Sequence, residues 1–510
     1  MSTRRSFLQQ SALALGGLHA SRLFAADSGV VVKTQLGSLA GERRGAVDVF
    51  RGIPFAQPPV GPLRFRAPLR LSPWSEVRDA TQFASAAMQP GESPTGKSED
   101  CLYLNVWAPS GEGKPAAGYP VFVWIHGGGF TGGRSSDPLQ DGAHFAANGV
   151  VCITLAYRLG VFGFLDMEPL LGAAYAGSAN NGMRDVVAAL AWVQENVAAF
   201  GGDPKRVTVG GESAGAKLTD LLMGVPTAAP LFGQMISESG GAERIATREQ
   251  ALEVARGFSA AWTTKTNSPA SSVLSAPAEQ LILIQEQFTH DWPGHFPLRC
   301  EVDENLFPQR ALASIRAGSA RGKRLLIGTN RDESALFVGP HPAHDATAHD
   351  LGNISLTQFE TVDEEYKKLD PEMPAPLRRI RSLTAEEYLV PSMRVAEAQA
   401  ANGGETFVYR FDYPGEGRFA GLAFHSYDLR FVWDHFGQAT PTDDARELAA
   451  SIHQAWVSFL QGKSPSGPGL PAWPAYTSKG QETMIFDHPS RVEAHPEAAE
   501  LALWNGLLGN

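Results

Sequence analysis

The sequence predicts an α/β fold, a large and mostly parallel central sheet flanked by helices, on three observations. Short apolar runs at residues 121–125, 150–155, 207–209, 325–327 and 407–411 have strand length and little polar alternation. Such runs are buried on both faces when helices cover a sheet. Between the second and third runs, Met183, Val186, Val187, Leu190, Val193 and Val197 recur at helical spacing, and Gly201, Gly202 and Pro204 end the pattern. Strand, helix and strand in that order predict a right-handed crossover and parallel neighbours. Residues 240–300 and 340–400 are rich in Ala, Glu and Leu with few strand runs, which reads as helical insertions stacked over the sheet.

The chain has 510 residues. At roughly 150 residues per domain that would allow about three domains, but large α/β enzymes often exceed this prior. The sequence has no internal repeat and no linker, and "SPSGPGLPAWPAY" from Ser464 reads as a loop before the C-terminal segment. One domain over residues 27–510 is expected. Hydrophobic residues make up 43% and charged residues 19%, a globular composition. Net charge is −11 with no basic stretch, which argues against a nucleic-acid partner.

Residues 1–26 differ from the rest. Arg4 and Arg5 precede a short apolar run at residues 12–18, followed by small residues. The run is too short to span a bilayer. Its order is that of an export signal, and the paired arginines of "TRRSFLQ" resemble the twin-arginine type. A bacterial, periplasmic or secreted protein is expected, with no stable membrane insertion once the signal is removed. The three cysteines, Cys101, Cys152 and Cys300, are widely spaced, poor material for a disulfide framework or a zinc site.

Chemistry gathers on loops that follow strands. "RVTVGGESAGAKLTDLLM" reads strand, sharp turn, helix, with G-x-S-x-G at residues 211–215. Gly211 and Gly215 lack β-carbons that would crowd the turn, and the helix after Ser213 aims amide N–H groups at the site. Ser213 is therefore the candidate nucleophile. "VFVWIHGGGFTGG" runs a strand into Gly127, Gly128 and Gly129, whose backbone N–H groups can approach a developing oxyanion. Gly127, Gly129 and Gly132 also spell a dinucleotide fingerprint. That reading needs a helix at the glycines and an acid ending the next strand; Pro138 and "LAYR" supply neither.

A base and its orienting acid must come later in the chain. Asp332 and Glu333 follow one predicted strand, and His425 lies on a long loop after another. Ligands in open α/β sheets gather at the carboxyl ends of strands, so these loops can meet Ser213. His435 and His453 are nearby rivals among thirteen histidines.

Together the motifs resemble those of the type-B carboxylesterases, the α/β-hydrolase family that includes cholinesterases and para-nitrobenzyl esterases. The resemblance runs from about Gly37 to the last apolar segment. It rests on "FRGIPFAQPPVGPLRF" (50–65), "SEDCLYLNVWAP" (98–109), "VWIHGGGF" (123–130), "YRLGVFGFL" (157–165) and "GGDPKRVTVGGESAGA" (201–216). It implies an α/β-hydrolase fold with helical insertions over the active site, and a serine esterase acting on small-molecule esters without metal or cofactor.

By position, the resemblance implies Ser213 as nucleophile, Glu333 rather than Asp332 as acid, and His425 as base. The oxyanion donors would be the N–H groups of Gly128, Gly129 and Ala214. Ser239 would support the acid, and Glu212 would lie near the substrate. Phe296 and Phe337 fall where the family lines its pocket; for these, and for Trp292 and Trp433, core packing is the competing reading. The family's usual cysteine partner for "SEDC" is replaced near Met88, which implies a reduced Cys101. Ser426 and Ser334 stand where the family usually has glycine. "HPAHDATAHD" (341–350) has donors for a metal, but their irregular spacing on a polar loop favours a solvated surface.

Two other readings use the same fold. One is a catalytically silent partner-binding protein, which the presence of all three triad residues opposes. The other is a long-chain lipase, which would need an apolar lid that the sequence does not reveal.

Overall fold

In a computed structural model of the chain, residues 27–111, 113–342 and 345–507 are described. The expected export signal, residues 1–26, lies outside them.

Twelve strands form one continuous path. They are β1 (Asp27–Lys33), β2 (Ser38–Arg44), β3 (Val47–Pro54), β4 (Tyr103–Pro109), β5 (Tyr119–Ile125) and β6 (Val151–Leu155), followed by β7 (Gly202–Glu212), β8 (Gln234–Glu238), β9 (Arg324–Asn330), β10 (Thr406–Phe411), β11 (Glu482–Phe486) and β12 (Arg491–Ala494). Their spatial order is β1-β2-β3-β4-β6-β5-β7-β8-β9-β10-β11-β12. The two-residue strand Arg78–Asp79 adds to β2. From β6 to β11 every neighbouring pair is parallel, and both ends of the sheet are antiparallel.

All five apolar runs are central strands, and their side chains alternate between two cores. Val121, Val123 and Ile125 of β5 enter one core with Ile153, Val209 and Ile327. Phe122 and Trp124 enter the other with Cys152, Leu326 and Phe407. Both faces are buried, which is why the runs lack polar alternation. Helix α1 (Asn181–Asn196) covers the first face through Met183, Val186, Leu190 and Val193. A long C-terminal helix, Asp443–Leu460, covers the second through Ile452, Trp456 and Phe459.

The insertions are helical, as composition indicates. After α2 (Ala214–Leu222) come α3 (Arg248–Thr266), α4 (Ala278–Asp291), α5 (Leu356–Leu369), α6 (Ala375–Thr384) and α7 (Val390–Ala401). A π-helical turn, Ala385–Leu389, joins α6 to α7. Such turns often carry functional side chains. Among the described residues no helix is long and apolar enough to cross a membrane. The three cysteines are free and buried.

Candidate active site

The turn after β7 is built by close backbone packing. Ser213 adopts φ 56° and ψ −121°, a conformation that an L-residue rarely takes. Its N–H donates to Glu238 O at 2.9 Å, and its carbonyl accepts from Lys217 N at 2.9 Å, opening α2. A β-carbon at Gly215 would lie 1.9 Å from Ile125 O, so only glycine lets α2 come this close to β5. Ser213 is half-buried, and among the described residues its hydroxyl makes no hydrogen bond.

The glycine loop after β5 lies beside this turn. Gly128 has φ +113°, and a β-carbon there would stand 2.2 Å from Gly132 O. Among the described residues nothing accepts a hydrogen bond from the N–H of Gly128, Gly129 or Ala214. Three main-chain donors are thus left open around one turn. Phe296 packs on this loop, since a β-carbon on Gly129 would meet its Cε1 at 2.8 Å. A cavity of about 630 Å³ opens off Gly129, lined by Thr131, Thr289, His290, His295 and Phe296.

The loops after β9 and β10 bring Glu333 and His425 together. Glu333 Oε2 lies 2.5 Å from His425 Nδ1. The other oxygen, Oε1, accepts from Ser239 Oγ at 2.5 Å and from Asn330 N at 2.7 Å. Asp332 turns away: it pairs with Arg381 at 2.5 Å and Arg331 at 3.1 Å, and accepts from Ala423 N. The glutamate is therefore the carboxylate that meets the ring.

On the far side of the ring, His425 Nε2 faces Glu212 Oε1 at 3.1 Å. No hydrogen bond joins Ser213 Oγ to this imidazole. Ser426 Oγ donates to the same Glu212 oxygen at 2.5 Å. Burial alone would lower the His425 pKa; the charges of Glu212 and Glu333 and the Glu333 hydrogen bond outweigh it and push the pKa up to about 9. Burial raises Glu212 above the usual carboxylate range, opposed by His425 and by the Ser426 hydrogen bond. Asp428 is pushed up to about 7 by burial and by the charges of Glu333 and Glu212. It accepts hydrogen bonds from Asn330 Nδ2 and Tyr409 OH.

The helical insertion is anchored to this centre. Lys217 Nζ, one turn past Ser213, reaches Glu387 Oε1 at 3.0 Å and donates to Gly240 O at 2.9 Å. Arg244 also pairs with Glu387 and lies 3.8 Å over the Phe296 ring. Burial would raise Glu387, but Arg244 and Lys217 hold it down at about 2. The next residue of the π-turn, Tyr388, packs on His425 with ring centroids 4.8 Å apart.

Of the aromatics singled out in the sequence, Phe296 and Phe337 lie at the site. Trp433 is core, packed on Phe122, Trp124 and Phe145. Trp292 packs on Phe288. The rival His453 is buried elsewhere and bonds Val432 O. His344, in the 341–350 loop, lies outside the described residues; among those described no cluster of three or more His, Cys, Asp or Glu could hold a metal ion. Tyr388, Glu387 and Asp428 carried no sequence signal. Ser426 did, as a serine where glycine is usual.

The sequence profile of the carboxylesterase family matches residues 28–504. A para-nitrobenzyl esterase of Bacillus subtilis is 36% identical over 493 residues, 92% of this chain and 97% of that protein. A fumonisin B1 esterase of Sphingopyxis macrogoltabida is 33% identical over 494 residues, 90% of this chain and 87% of that protein. A solved Geobacillus stearothermophilus carboxylesterase superposes with a TM-score of 0.82 at 36% identity, covering 93% of this chain and all 100% of its own.

Proposed function

The chain belongs to the carboxylesterase family and is a serine carboxylesterase, and we propose that Ser213, His425 and Glu333 carry its chemistry. The observation that supports this assignment is the 2.5 Å contact of Glu333 with His425 Nδ1, on loops from neighbouring parallel strands β9 and β10.

Glu333 holds the ring in the tautomer with its proton on Nδ1, leaving the Nε2 lone pair for catalysis. Ser213 Oγ attacks the ester carbonyl carbon, and Nε2 takes the hydroxyl proton. The carbonyl oxygen becomes an anion facing the N–H groups of Gly128, Gly129 and Ala214. Loss of one such donor in comparable sites costs about 3 kcal/mol in the barrier. The tetrahedral centre collapses, the alkoxide leaves with the proton from Nε2, and an acyl-Ser213 ester remains. Water loses a proton to the same nitrogen, attacks, and frees the acid and the serine.

The substrates are small esters that fit the cavity beside Gly129, which Phe296 lines, with Phe337 beside His425 as a second apolar contact. Residues 1–26 act as a twin-arginine export signal, and the mature enzyme, one domain over residues 27–510, works in the periplasm or outside the cell. Fractionation of cells expressing the full chain, against an Arg4→Lys, Arg5→Lys control, tests the export.

A fluorophosphonate probe tests the triad. The folded protein labels once, and Ser213→Ala abolishes labelling. Equal labelling of that variant would overturn the assignment. A series of p-nitrophenyl esters, with Ser213→Ala as blank, tests the substrate class. Rates that climb toward long acyl chains, with interfacial activation, would replace it with a lipase.

A further inference from the structure

We propose that Ser426 is a positioning residue that holds the Glu212 carboxylate against His425 Nε2, so that in the free enzyme the imidazole rests on Glu212 rather than on Ser213. The proposal rests on the reading of His425 as the base.

Four observations carry it. Ser426 has φ +63°, in the left-handed region where a glycine would sit without strain and a side chain with a β-carbon does not. The residue nevertheless carries a hydroxyl, and that hydroxyl donates to Glu212 Oε1 at 2.5 Å, between residues 214 positions apart in sequence. The same oxygen stands 3.1 Å from His425 Nε2. Both groups of the pair are buried, Glu212 at 4% and His425 at 4% exposure, so neither can trade its partner for bulk water.

One oxygen of Glu212 therefore accepts the Ser426 hydroxyl and stands at ion-pair distance from His425 Nε2. The serine fixes where that oxygen stands and favours its ionised form; the ionised form in turn attracts the imidazole. A hydroxyl without a charge can do this only through the carboxylate, so the effect of Ser426 on the ring must pass through Glu212. The other groups facing the ring are Glu333, whose carboxylate is held independently by Ser239 and Asn330, and Asp428. Tyr388 covers the ring from the π-turn, and Lys217 faces Glu212 from α2. Among the described residues none of these hydrogen-bonds the Ser426 hydroxyl, whose one partner is Glu212.

The direction of the effect follows. Removing the hydroxyl makes the buried Glu212 harder to ionise and frees its position. His425 then loses attraction for its proton, and the base is available at lower pH. The test is the pH dependence of kcat/KM for p-nitrophenyl acetate, whose acid limb reports the base of the free enzyme. Ser426→Gly and Ser426→Ala should both move that limb to lower pH, by about half a unit or more, the size expected for loss of one charge-assisted hydrogen bond. Agreement between the two separates the hydroxyl from backbone strain, which only glycine relieves. In a Glu212→Gln background the same substitutions should leave the limb in place. An unmoved limb in the wild-type background, or an equal shift in both backgrounds, overturns the proposal. His425→Gln is measured alongside: if it keeps esterase activity, the reading of His425 as base fails instead.

Discussion

The phenyl ring of Phe337 lies over the imidazole of His425, with centroids 5.2 Å apart, while 49% of the residue stays open to solvent. On the proposed mechanism, a large apolar group exposed beside the buried imidazole is a contact for the acyl or alcohol group of the ester. Tyr388 completes the wall, stacked with Phe337 at an interplanar angle of 11°. Phe337→Ala should raise KM for aromatic esters about fivefold, from about 1 kcal/mol of lost apolar contact, and change kcat less. Steady-state kinetics on benzoate and acetate esters checks this; equal loss on both would mean that Phe337 supports the ring rather than the substrate.

The pH profile should be shifted to the alkaline side. A general base acts deprotonated, and the carboxylates of Glu212 and Glu333 push His425 up to about 9 against the effect of burial. At pH 7 most free enzyme then carries the inactive imidazolium, and kcat/KM should rise about tenfold per pH unit before levelling. The same shift is a stability statement. A histidine whose folded pKa is raised stabilises the fold fully below about 6.5, and this contribution is lost as pH rises through about 9. Urea unfolding of Ser213→Ala across that range should show the decline. A kinetic limb centred on 6.5 would refute the electrostatic account.

Gly215→Ala should damage fold and activity together. Its β-carbon would meet Ile125 O at 1.9 Å, a main-chain atom of a central strand that has no room to yield. Separating α2 from β5 would cost about 2–3 kcal/mol and move the Ala214 N–H from the oxyanion position. A fall in thermal midpoint with a loss of activity larger than the unfolded fraction is the expected result.

What the sequence made legible follows from where each signal is local. The strands β5, β6, β7, β9 and β10 could be read because both of their faces are buried, so each is a plain apolar run. The antiparallel strands β1 to β3 could not, because buried and partly exposed residues mix along them and none is a plain apolar run. The turn at Ser213 is a continuous strand–turn–helix segment and needs no partner to be seen. Glu333 and His425 could be placed at strand ends, but composition and spacing left them among thirteen histidines and a neighbouring aspartate; only the family resemblance selected them. Once folded, Asp332 is occupied by two arginines, which is a reason no local pattern contains. Ser426 and Glu212 meet across the chain, and Tyr388 reaches the ring from an insertion, so neither contact leaves a motif.

Ser239 separates orientation from charge in the triad. Its hydroxyl donates to Glu333 Oε1 at 2.5 Å, the oxygen that does not face the ring. It therefore cannot touch substrate, and acts by fixing the carboxylate that fixes the imidazole. Ser239→Ala removes one of two donors and leaves Asn330 N in place, 2.7 Å from the same oxygen. A hydrogen bond to a charged group is worth about 1.5–3 kcal/mol, and the remaining donor should soften the loss, so kcat should fall about tenfold. KM should change little, because the binding cavity is lined by other residues. Glu333→Gln should cost far more, about 10³–10⁴-fold in kcat, because the amide can hold the ring in the wrong tautomer. If Ser239→Ala were as severe as Glu333→Gln, the serine would be holding the loop together rather than tuning one oxygen; rapid kinetics with both variants distinguishes the two.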